Sequence, residues 1–223
     1  MVNMENGIKI YVIDRPFYMA EERVLGLALR RHVLRNLEGT DYVLADCEEQ
    51  AEGDDVCVIY TDMPLVTAES IQKAVKTVTA QRLGRIGLGR GYVKMGGYTE
   101  KQKYCVKERE FLSVSNANLL KIVYNEAVRR RNEELRLNGV IITGRAEIDF
   151  AAAAERGARI EGCSRIRGAS TVKSGALIDN SDLTDSLIES GAGIVRSVVE
   201  NSTVGAGVRI GPYIHLKNNV RIN

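Results

Sequence analysis

The second half of the chain carries a six-residue repeat, and this repeat constrains the fold more than any other feature of the sequence. From Ile148 to Ile222 an aliphatic residue recurs at intervals of six residues, apart from four intervals of five, and Ala154 fills one position. Alanine or serine stands two residues before many of these positions. An α-helix repeats every ~3.6 residues and a strand every two, so neither explains the spacing. The repeat therefore predicts an architecture in which each hexapeptide is one structural unit.

A β-helix with three flat faces in each coil explains such a repeat. Each hexapeptide forms one face, its aliphatic residue points inward, and the small residue fits the corner. Fourteen repeat positions at three to a coil predict between four and five coils. Stacked coils remove the inward side chains from water, and full burial of each one contributes roughly 1.5–3 kcal/mol. The predicted inward residues are Ile148, Ala154, Ile160, Ile166, Val172, Ile178, Leu183, Ile188, Ile194, Val199, Val204, Ile210, Leu216 and Ile222.

The first half of the chain shows apolar strands that alternate with amphipathic helices. The strands are predicted over residues 8–13, 41–45 and 55–64, and the helices over 20–37 and 67–78. Thr67 is predicted to cap the second helix, with Glu69 favourably placed in its first turn. This alternation predicts a parallel sheet whose ligand crevice lies at the carboxyl ends of the strands. Residues 81–110 are Gly-rich and basic, and their pattern assigns no definite element.

A long helix from about Ala117 to Asn138 separates the two patterns, and Gly139 is a natural stop for it. At ~1.5 Å per residue the helix spans roughly 30 Å, which is enough to bridge two domains. The arginines at 129–131 could reach a phosphate, but such a run is more often the solvated face of a helix. We therefore predict an α/β domain over residues 1–114, a connecting long helix and strand over 115–143, and a β-helix over 144–223.

Composition excludes several classes of function. Lys and Arg number 31 against 29 for Asp and Glu, so the net charge of +2 argues against nucleic acid or an anionic membrane as the main partner. The four cysteines are scattered without a CxxC pair, which argues against structural zinc and a disulfide framework. The N-terminal residues lack a signal-peptide pattern, and no segment has the ~18 apolar residues of a membrane span. We expect a cytoplasmic protein.

Motifs in the second half resemble a known enzyme family. They are "RRNEELRLNGV" at 130–140, "EID" at 147–149, "SLIESG" and "SVVENS" at five-residue steps, and "VGAGVRIGPYIHLK" at 204–217. The stretch from Phe111 to Lys217 resembles the bifunctional UDP-N-acetylglucosamine pyrophosphorylase / glucosamine-1-phosphate N-acetyltransferase family, as a shortened and partly degenerate member. The resemblance implies a reduced nucleotidyltransferase-like, Rossmann-type α/β domain followed by a left-handed parallel β-helix.

The resemblance also implies a magnesium site. "YTDMPLVTAESI" at 60–71 is similar to the family's strand-to-helix corner, in which an Asp holds the magnesium of the nucleotide. Asp62 would be that ligand, and Ser115 stands where the family has its second ligand, an Asn. Mg²⁺ prefers carboxylate and phosphate oxygens and offsets charge during attack on a nucleotide phosphate. Alternatively, Asp62 simply caps a strand before a turn.

Other positions depart from the family's pattern. No glycine lies between Gly7 and Gly26, so the phosphate-binding Gly-rich loop is missing, although Arg15 could contact a phosphate. Lys217 takes the place of the Arg that binds the phosphate of glucosamine-1-phosphate, and lysine lacks the bidentate fork of arginine. The family's acetyl-CoA groove lies beyond this point, so acetyl-CoA is not expected as a cofactor. His215, with no visible carboxylate partner, is interpreted as a surface or packed histidine.

Three functional hypotheses remain open. The chain is a sugar-1-phosphate nucleotidyltransferase with a reduced site that uses Mg²⁺, a non-catalytic binding or regulatory protein for a nucleotide sugar or sugar phosphate, or, in third place, a hexapeptide-repeat acyltransferase. The exposed edge of a β-helix leaves backbone groups unpaired, and either further copies cover this edge or the polar residues "KNNVRIN" at 217–223 protect it. We expect a homo-oligomer: first a trimer, as the resemblance implies, and second an end-to-end dimer.

Overall fold

The computed structural model describes residues 7–17, 19–98, 104–106 and 108–223. The chain forms two compact units, which we call the first unit (Met1–Arg23 with Ala28–Val123) and the second unit (Val24–Leu27 with Tyr124–Asn223). The domain boundaries at 114 and 143 stay predictions.

The elements before the hexapeptide region are eight strands and three α-helices within the described residues. The strands are β1 (Lys9–Ile13), β2 (Arg23–Val24), β3 (Leu27–Ala28), β4 (Val43–Ala45), β5 (Val56–Tyr60), β6 (Arg85–Leu88), β7 (Gly91–Lys94) and β8 (Tyr104–Val106). The helices are α1 (Leu29–Asn36), α2 (Ala68–Gln81) and α3 (Ala117–Leu137). Two short 3₁₀ turns lie at Glu48–Gln50 and Arg109–Phe111.

Six of these strands form one mixed sheet in the order β4-β1-β5-β7-β6-β8. Strands β4, β1 and β5 are parallel, with Ile13 opposite Tyr60, so their carboxyl ends meet at one edge as the sequence predicts. Strand β7 is antiparallel to both β5 and β6. The segment that the sequence left unassigned thus supplies a hairpin that pairs directly with the central strand β5. All five residues of β5 are buried, so neither face of this strand is open to water.

Two of the three predicted helices match the structure closely. Thr67 caps α2 and forms a reciprocal capping box with Ser70, and α3 ends at Leu137 before Gly139, whose φ is +85°. The prediction of a helix over 20–37 is wrong in its first half, because Leu25 and Gly26 have φ of +50° and +76°. Only Leu29–Asn36 is helical there. Among the described residues, no helix is both long and apolar enough to cross a membrane.

The second unit contains a parallel β-solenoid of about five turns, consistent with the predicted left-handed β-helix. Three sheets of five parallel strands form its faces. The strands are β9 (Ile141–Ile142), β10 (Glu147–Ile148), β11 (Ala153–Ala154), β12 (Arg159–Glu161), β13 (Arg165–Arg167), β14 (Thr171–Val172), β15 (Leu177–Asp179), β16 (Asp182–Thr184), β17 (Leu187–Ile188), β18 (Gly193–Val195), β19 (Val198–Glu200), β20 (Thr203–Val204), β21 (Arg209–Ile210), β22 (His215–Leu216) and β23 (Arg221–Ile222).

The solenoid core consists of the residues that the repeat predicts. The predicted inward positions from Ile160 to Val204 are completely buried, and Ala154, Leu216 and Ile222 are partly buried against the same cluster. The small residues two positions earlier are buried as well, and Ser164, Ser170 and Ala176 have no exposed surface. The predicted hexapeptide architecture is confirmed.

Serine hydroxyl groups connect successive coils at two corners. The Ser170 hydroxyl accepts a hydrogen bond from the backbone N–H of Ser186 at 3.2 Å, and the Ser186 hydroxyl accepts one from Ser202 at 3.2 Å. Ser164, Ser181 and Ser197 form a second ladder of the same kind. A backbone N–H buried at a corner requires an acceptor, which explains why serine serves there where alanine would not.

Candidate functional site

Asp62 lies at the carboxyl edge of the sheet in the first unit, two residues after β5 ends. The strand before it is completely buried, and Asp62 itself is only 5% exposed. A carboxylate removed from water in this way requires a compensating charge or hydrogen bonds. The environment of Asp62 therefore determines what this edge of the sheet can bind.

Two side chains satisfy one oxygen of the Asp62 carboxylate. The Arg90 Nη1 donates to Oδ2 at 2.8 Å, and the Ser113 hydroxyl donates to the same oxygen at 2.5 Å. The backbone N–H of Val114 donates to the carbonyl oxygen of Asp62 at 2.8 Å, which fixes the segment that carries Ser113. The other carboxylate oxygen, Oδ1, is buried and has no hydrogen-bond partner among the described residues.

Arg90 reaches Asp62 because it lies in a two-residue turn between β6 and β7. Gly89 has a φ of +60°, and a Cβ there would clash with the carbonyl oxygen of Phe111. A Cβ at Gly91 would clash with the carbonyl oxygen of Val58 in β5. Glycine on both sides thus lets the turn approach closely, and the Arg90 guanidinium lies over the Tyr60 ring, 4.5 Å from its centroid.

Strand β1 brings two more polar residues to the same edge. The sheet register places Asp14 and Arg15 immediately after Ile13, which is opposite Tyr60. The Thr61 hydroxyl donates to Oδ1 of Asp14 at 3.0 Å, so this carboxylate is partly satisfied within the edge. Arg15 contacts the carbonyl oxygen of Asp46 through Nε at 3.4 Å. Two arginines, Arg15 after β1 and Arg90 after β6, therefore lie at the same edge of the sheet, with β5 and β7 between their strands.

Ser115, the other predicted magnesium ligand, is exposed. The hydroxyl group that the structure brings to Asp62 is that of Ser113, two residues earlier. Neither Ser113 nor Arg90 was predicted from the sequence as a site residue. The "GLGRG" stretch around Arg90 contained a usable signal, since paired glycines between two short apolar runs are typical of a hairpin turn. The assignment of Asp62 and Ser115 as metal ligands stays a prediction.

The described residues around Asp62 fit a guanidinium group better than Mg²⁺. Within residues 7–98, apart from residue 18, and within the rest of the described chain, no three His, Cys, Asp or Glu side chains are grouped to hold a metal ion. A divalent ion about 4 Å from the Arg90 guanidinium would meet a repulsion of about 8 kcal/mol at an effective dielectric constant of about 20. Arg90 in its present position therefore opposes binding of Mg²⁺ to Asp62.

The second unit contains Lys217, the predicted phosphate contact, and a contact between His215 and a carboxylate. Lys217 is exposed directly after β22, and its role stays a prediction. His215 has a carboxylate partner, contrary to the sequence analysis, because its Nε2 lies 3.2 Å from Oε2 of Glu200. The strand register places His215 opposite Val198, so it and Glu200 lie on the same solenoid face, both substantially exposed. The expectation of a surface histidine agrees with this exposure.

A polar groove runs along one corner of the solenoid. It has a volume of about 580 Å³ and is lined by Arg165, Asp182, Arg196 and Tyr213 together with neighbouring corner residues. Arg165 donates to Asp182 across adjacent coils at 2.9 Å. At one wall of the groove the charges of Arg165 and Asp182 are thus already paired with each other.

The arginine run in α3 has two different environments. Arg129 and Arg130 pair with Glu126 at 2.7 and 2.9 Å, in agreement with the interpretation of a helix face. These hydrogen bonds, chiefly the one from Arg129, lower the pKa of Glu126 to about 2. For Arg131 the interpretation of a solvated helix face is wrong. Its residue is only 7% exposed, and its Nη2 donates to the carbonyl oxygen of Ala152 at 2.9 Å.

Comparison with known proteins agrees with the resemblance. No protein-family model matches the chain. The chain is 40% identical over 87 residues to the bifunctional protein GlmU of Sorangium cellulosum (strain So ce56). These residues are 38% of this chain and 18% of that relative, so the match spans less than a fifth of its length. Over this stretch the sequence of the chain is similar to part of a GlmU-like bifunctional protein, and the β-solenoid of the chain is consistent with that similarity.

Proposed function

We propose that the chain binds a nucleotide sugar or a sugar phosphate without turning it over. The observation that carries this proposal is the pairing of Asp62 with Arg90 and Ser113. The carboxylate that would hold the magnesium of a nucleotidyltransferase is engaged by a cation of the chain itself. Of the three hypotheses, the non-catalytic binding protein agrees best with this arrangement.

The chemistry of nucleotidyl transfer supports this choice. Attack of a sugar phosphate on the α-phosphate of UTP builds negative charge, and enzymes that use a metal offset this charge with an ion fixed by carboxylates. One arginine, with its charge already balanced by Asp62, provides much less compensation than a divalent ion. Binding of the ground-state ligand has no such requirement, since it needs only donors for the phosphate oxygens.

Three observations support a phosphate-bearing sugar ligand. The family that the motifs resemble handles UTP, N-acetylglucosamine-1-phosphate and glucosamine-1-phosphate, and the 40% identity over 87 residues supports that relationship. The carboxyl edge of a parallel sheet is the usual ligand crevice of α/β folds. Here that edge carries Arg15 and Arg90, which can donate to phosphate oxygens.

Two assays with the full chain test this proposal. Thermal unfolding with and without UDP-N-acetylglucosamine should show a ligand-dependent rise in Tm, since a ligand that binds only the folded state stabilises it. Pyrophosphate release from UTP and N-acetylglucosamine-1-phosphate with Mg²⁺ should not exceed that of a protein-free control. Release above this control that is lost in Asp62→Asn would contradict the proposal and favour a functional nucleotidyltransferase. An unchanged Tm with every nucleotide sugar and sugar phosphate tried would also contradict it.

We also propose that the chain forms a homo-oligomer, with a trimer as the first expectation and an end-to-end dimer as the second. Three apolar side chains near the last coil, Tyr213, Ile214 and Val220, are exposed, and Tyr213 is 79% exposed. A second copy that covered them would remove apolar surface from water. Light scattering coupled to gel filtration measures the mass directly, and a monomer at micromolar concentration would contradict both expectations.

A further inference from the structure

We infer that Arg90 takes the place of a divalent cation at Asp62 and is itself the group that contacts the phosphate of the ligand, so that binding requires no metal ion. This inference rests on the proposed function for the identity of the ligand. It goes further in naming the residue that recognises the anion and in predicting that recognition is independent of Mg²⁺.

The position of the Arg90 side chain supports the inference that Arg90 takes the place of a cation at Asp62. Its guanidinium donates to a carboxylate that is almost completely buried, and the ring of Tyr60 lies beneath it. The glycines at 89 and 91 set the turn against Phe111 and Val58. A side chain that is held by an ion pair, a ring and a tight turn has lost most of its conformational freedom before any ligand binds. Such preorganisation lowers the entropic cost of ligand binding.

The unused N–H donors of Arg90 support the inference that Arg90 contacts the phosphate of the ligand. A guanidinium has five N–H groups, and one nitrogen of Arg90 is engaged by Asp62. The side chain is 44% exposed, and the described residues provide no further hydrogen-bond acceptor for it. The planar fork of the remaining N–H groups matches the spacing of two phosphate oxygens. Arg90 can therefore retain Asp62 and bind a phosphate at the same time.

The buried Oδ1 of Asp62 is the second independent observation. This oxygen has no partner within the described part of the chain, although the residue is more than nine-tenths buried. A buried acceptor without a donor is costly, and a bound molecule that supplies a donor removes that cost. A sugar hydroxyl beside the phosphate is such a donor, provided that the residues covering Oδ1, which has almost no accessible surface, move aside on binding. The site thus offers exposed N–H donors at Arg90 and a covered acceptor at Asp62.

The other charges at this edge leave the recognition of an anion chiefly to Arg90. Arg90 balances Asp62, and Arg15 after β1 is matched by Asp14, because the hydrogen bond from the Thr61 hydroxyl does not neutralise that carboxylate. A divalent cation at Asp62 would add two positive charges beside Arg90, whereas a phosphate group would be attracted to its guanidinium.

Isothermal titration calorimetry on the full chain tests the inference with two probes. The first probe is UDP-N-acetylglucosamine, titrated in metal-depleted buffer and again with excess Mg²⁺. The second is inorganic pyrophosphate in metal-depleted buffer, which tests anion binding without the nucleoside or the sugar. The wild-type chain is expected to bind both probes, with a Kd for UDP-N-acetylglucosamine that changes by less than about twofold when Mg²⁺ is added. Arg90→Gln is expected to weaken both by about tenfold or more, as for the loss of a charge-assisted hydrogen bond.

Arg85→Gln is the matched control. Arg85 lies on the same hairpin, and like Arg90 it lies over a tyrosine ring, with its guanidinium 3.9 Å from the centroid of Tyr92. It lies at the far end of β6, opposite Lys94 and away from the turn that carries Arg90, so its substitution should leave both affinities unchanged. The double variant Asp62→Asn/Arg90→Gln keeps the pair neutral and guards against unfolding. It should also lose pyrophosphate binding while its circular dichroism matches the wild type.

The outcomes separate this inference from the proposed function. Binding of UDP-N-acetylglucosamine only in the presence of Mg²⁺ would overturn the inference and leave the proposed function standing. Pyrophosphate binding that depends on Arg90, without binding of any nucleotide sugar or sugar phosphate, would support Arg90 as the anion contact and overturn the proposed ligand. Full affinity in Arg90→Gln, or no binding of either probe, would overturn the inference.

Discussion

The Arg90 guanidinium lies 2.8 Å from Oδ2 of Asp62, and the two side chains differ greatly in exposure, at 44% and 6%. The carboxylate is thus a buried charge, whereas its cationic partner remains in contact with water. This difference determines how the pair responds to substitution. It also explains how an arginine at the surface of a hairpin can occupy the position in which the sequence resemblance places a metal ion.

The first prediction is that Arg90→Ala and Asp62→Ala reduce the free energy of unfolding by different amounts. Arg90→Ala leaves a buried carboxylate that keeps the hydrogen bond from Ser113 but has lost its cationic partner, and we expect a loss of about 3 kcal/mol in the free energy of unfolding. Asp62→Ala leaves an arginine that water can still solvate, and we expect a loss of about 1–2 kcal/mol. Asp62→Asn/Arg90→Gln should lie closer to the wild type than Arg90→Ala. Urea unfolding at neutral pH measures all three, and a larger loss in Asp62→Ala than in Arg90→Ala would contradict the account.

A second prediction concerns the glycines that flank Arg90. Gly91→Ala places a Cβ against the carbonyl oxygen of Val58 in the central strand, where no flexible side chain can move aside. We expect a loss of about 2 kcal/mol or more in the free energy of unfolding, together with weaker binding of pyrophosphate. Gly97→Ala is the matched control, because a Cβ there meets nothing within 4 Å. Equal stability of the two variants in urea would contradict the predicted close approach.

The solenoid was predictable from the sequence because each of its coils must bury an aliphatic side chain on every face. Ile160 and Ile194 are buried for the same reason, and the five-residue steps around Leu183 and Val199 only shorten a corner. The repeat therefore predicted which residues face inward, and the structure confirms this. The serine ladders could not be read from spacing alone, since alanine has the same spacing at the third corner, where the N–H groups of Ala158 and Ala176 donate to backbone carbonyl oxygens instead.

The candidate site was predictable only in part. Asp62 was identified because the local sequence at 60–71 is similar to the strand-to-helix corner of the family that the motifs resemble. Its partners Arg90 and Ser113 are separated from it by 28 and 51 residues, and no periodic pattern connects them. Pairing of β7 with β5 brings Arg90 to the edge, and this pairing depends on a hairpin whose turn signal lies within a Gly-rich segment. Long-range strand pairing, rather than local propensity, therefore assembles the site.

A third prediction tests the serine ladder of the solenoid. In Ser186→Ala the backbone N–H of Ser202 loses its acceptor while it remains buried, and we expect a loss of about 1–3 kcal/mol in the free energy of unfolding. Ser190→Ala is the control, because Ser190 is exposed at a turn of the same region. Hydrogen exchange at the Ser202 amide gives a local measurement. An unchanged exchange rate in Ser186→Ala would contradict the role of the hydroxyl.

The fourth prediction is a pH dependence that originates in α3. The hydrogen bond from Arg129, with a further one from Arg130, lowers the pKa of Glu126 from 4.5 to about 2. A carboxyl whose pKa is lower in the folded state contributes stability at pH values above its unfolded pKa, and this contribution is lost as the pH falls from about 4.5 to about 2. Glu126→Gln should therefore reduce the fall in Tm over this range.

Calorimetry or circular dichroism at several pH values measures this effect. Glu133→Gln is the matched control, since it removes a more exposed partner of the same Arg129. If the Tm of Glu126→Gln falls as steeply as that of the wild type between pH 4.5 and pH 2, the Glu126 ion pairs do not contribute in the predicted way.

A crystal structure of the chain soaked with UDP-N-acetylglucosamine and Mn²⁺ tests the central account most directly, because Mn²⁺ can be located by its anomalous scattering. We predict a phosphate group within hydrogen-bond distance of Arg90, the ion pair between Arg90 and Asp62 retained, and no anomalous peak at Asp62. A manganese ion bound to Asp62, with Arg90 displaced from the carboxylate, would contradict it.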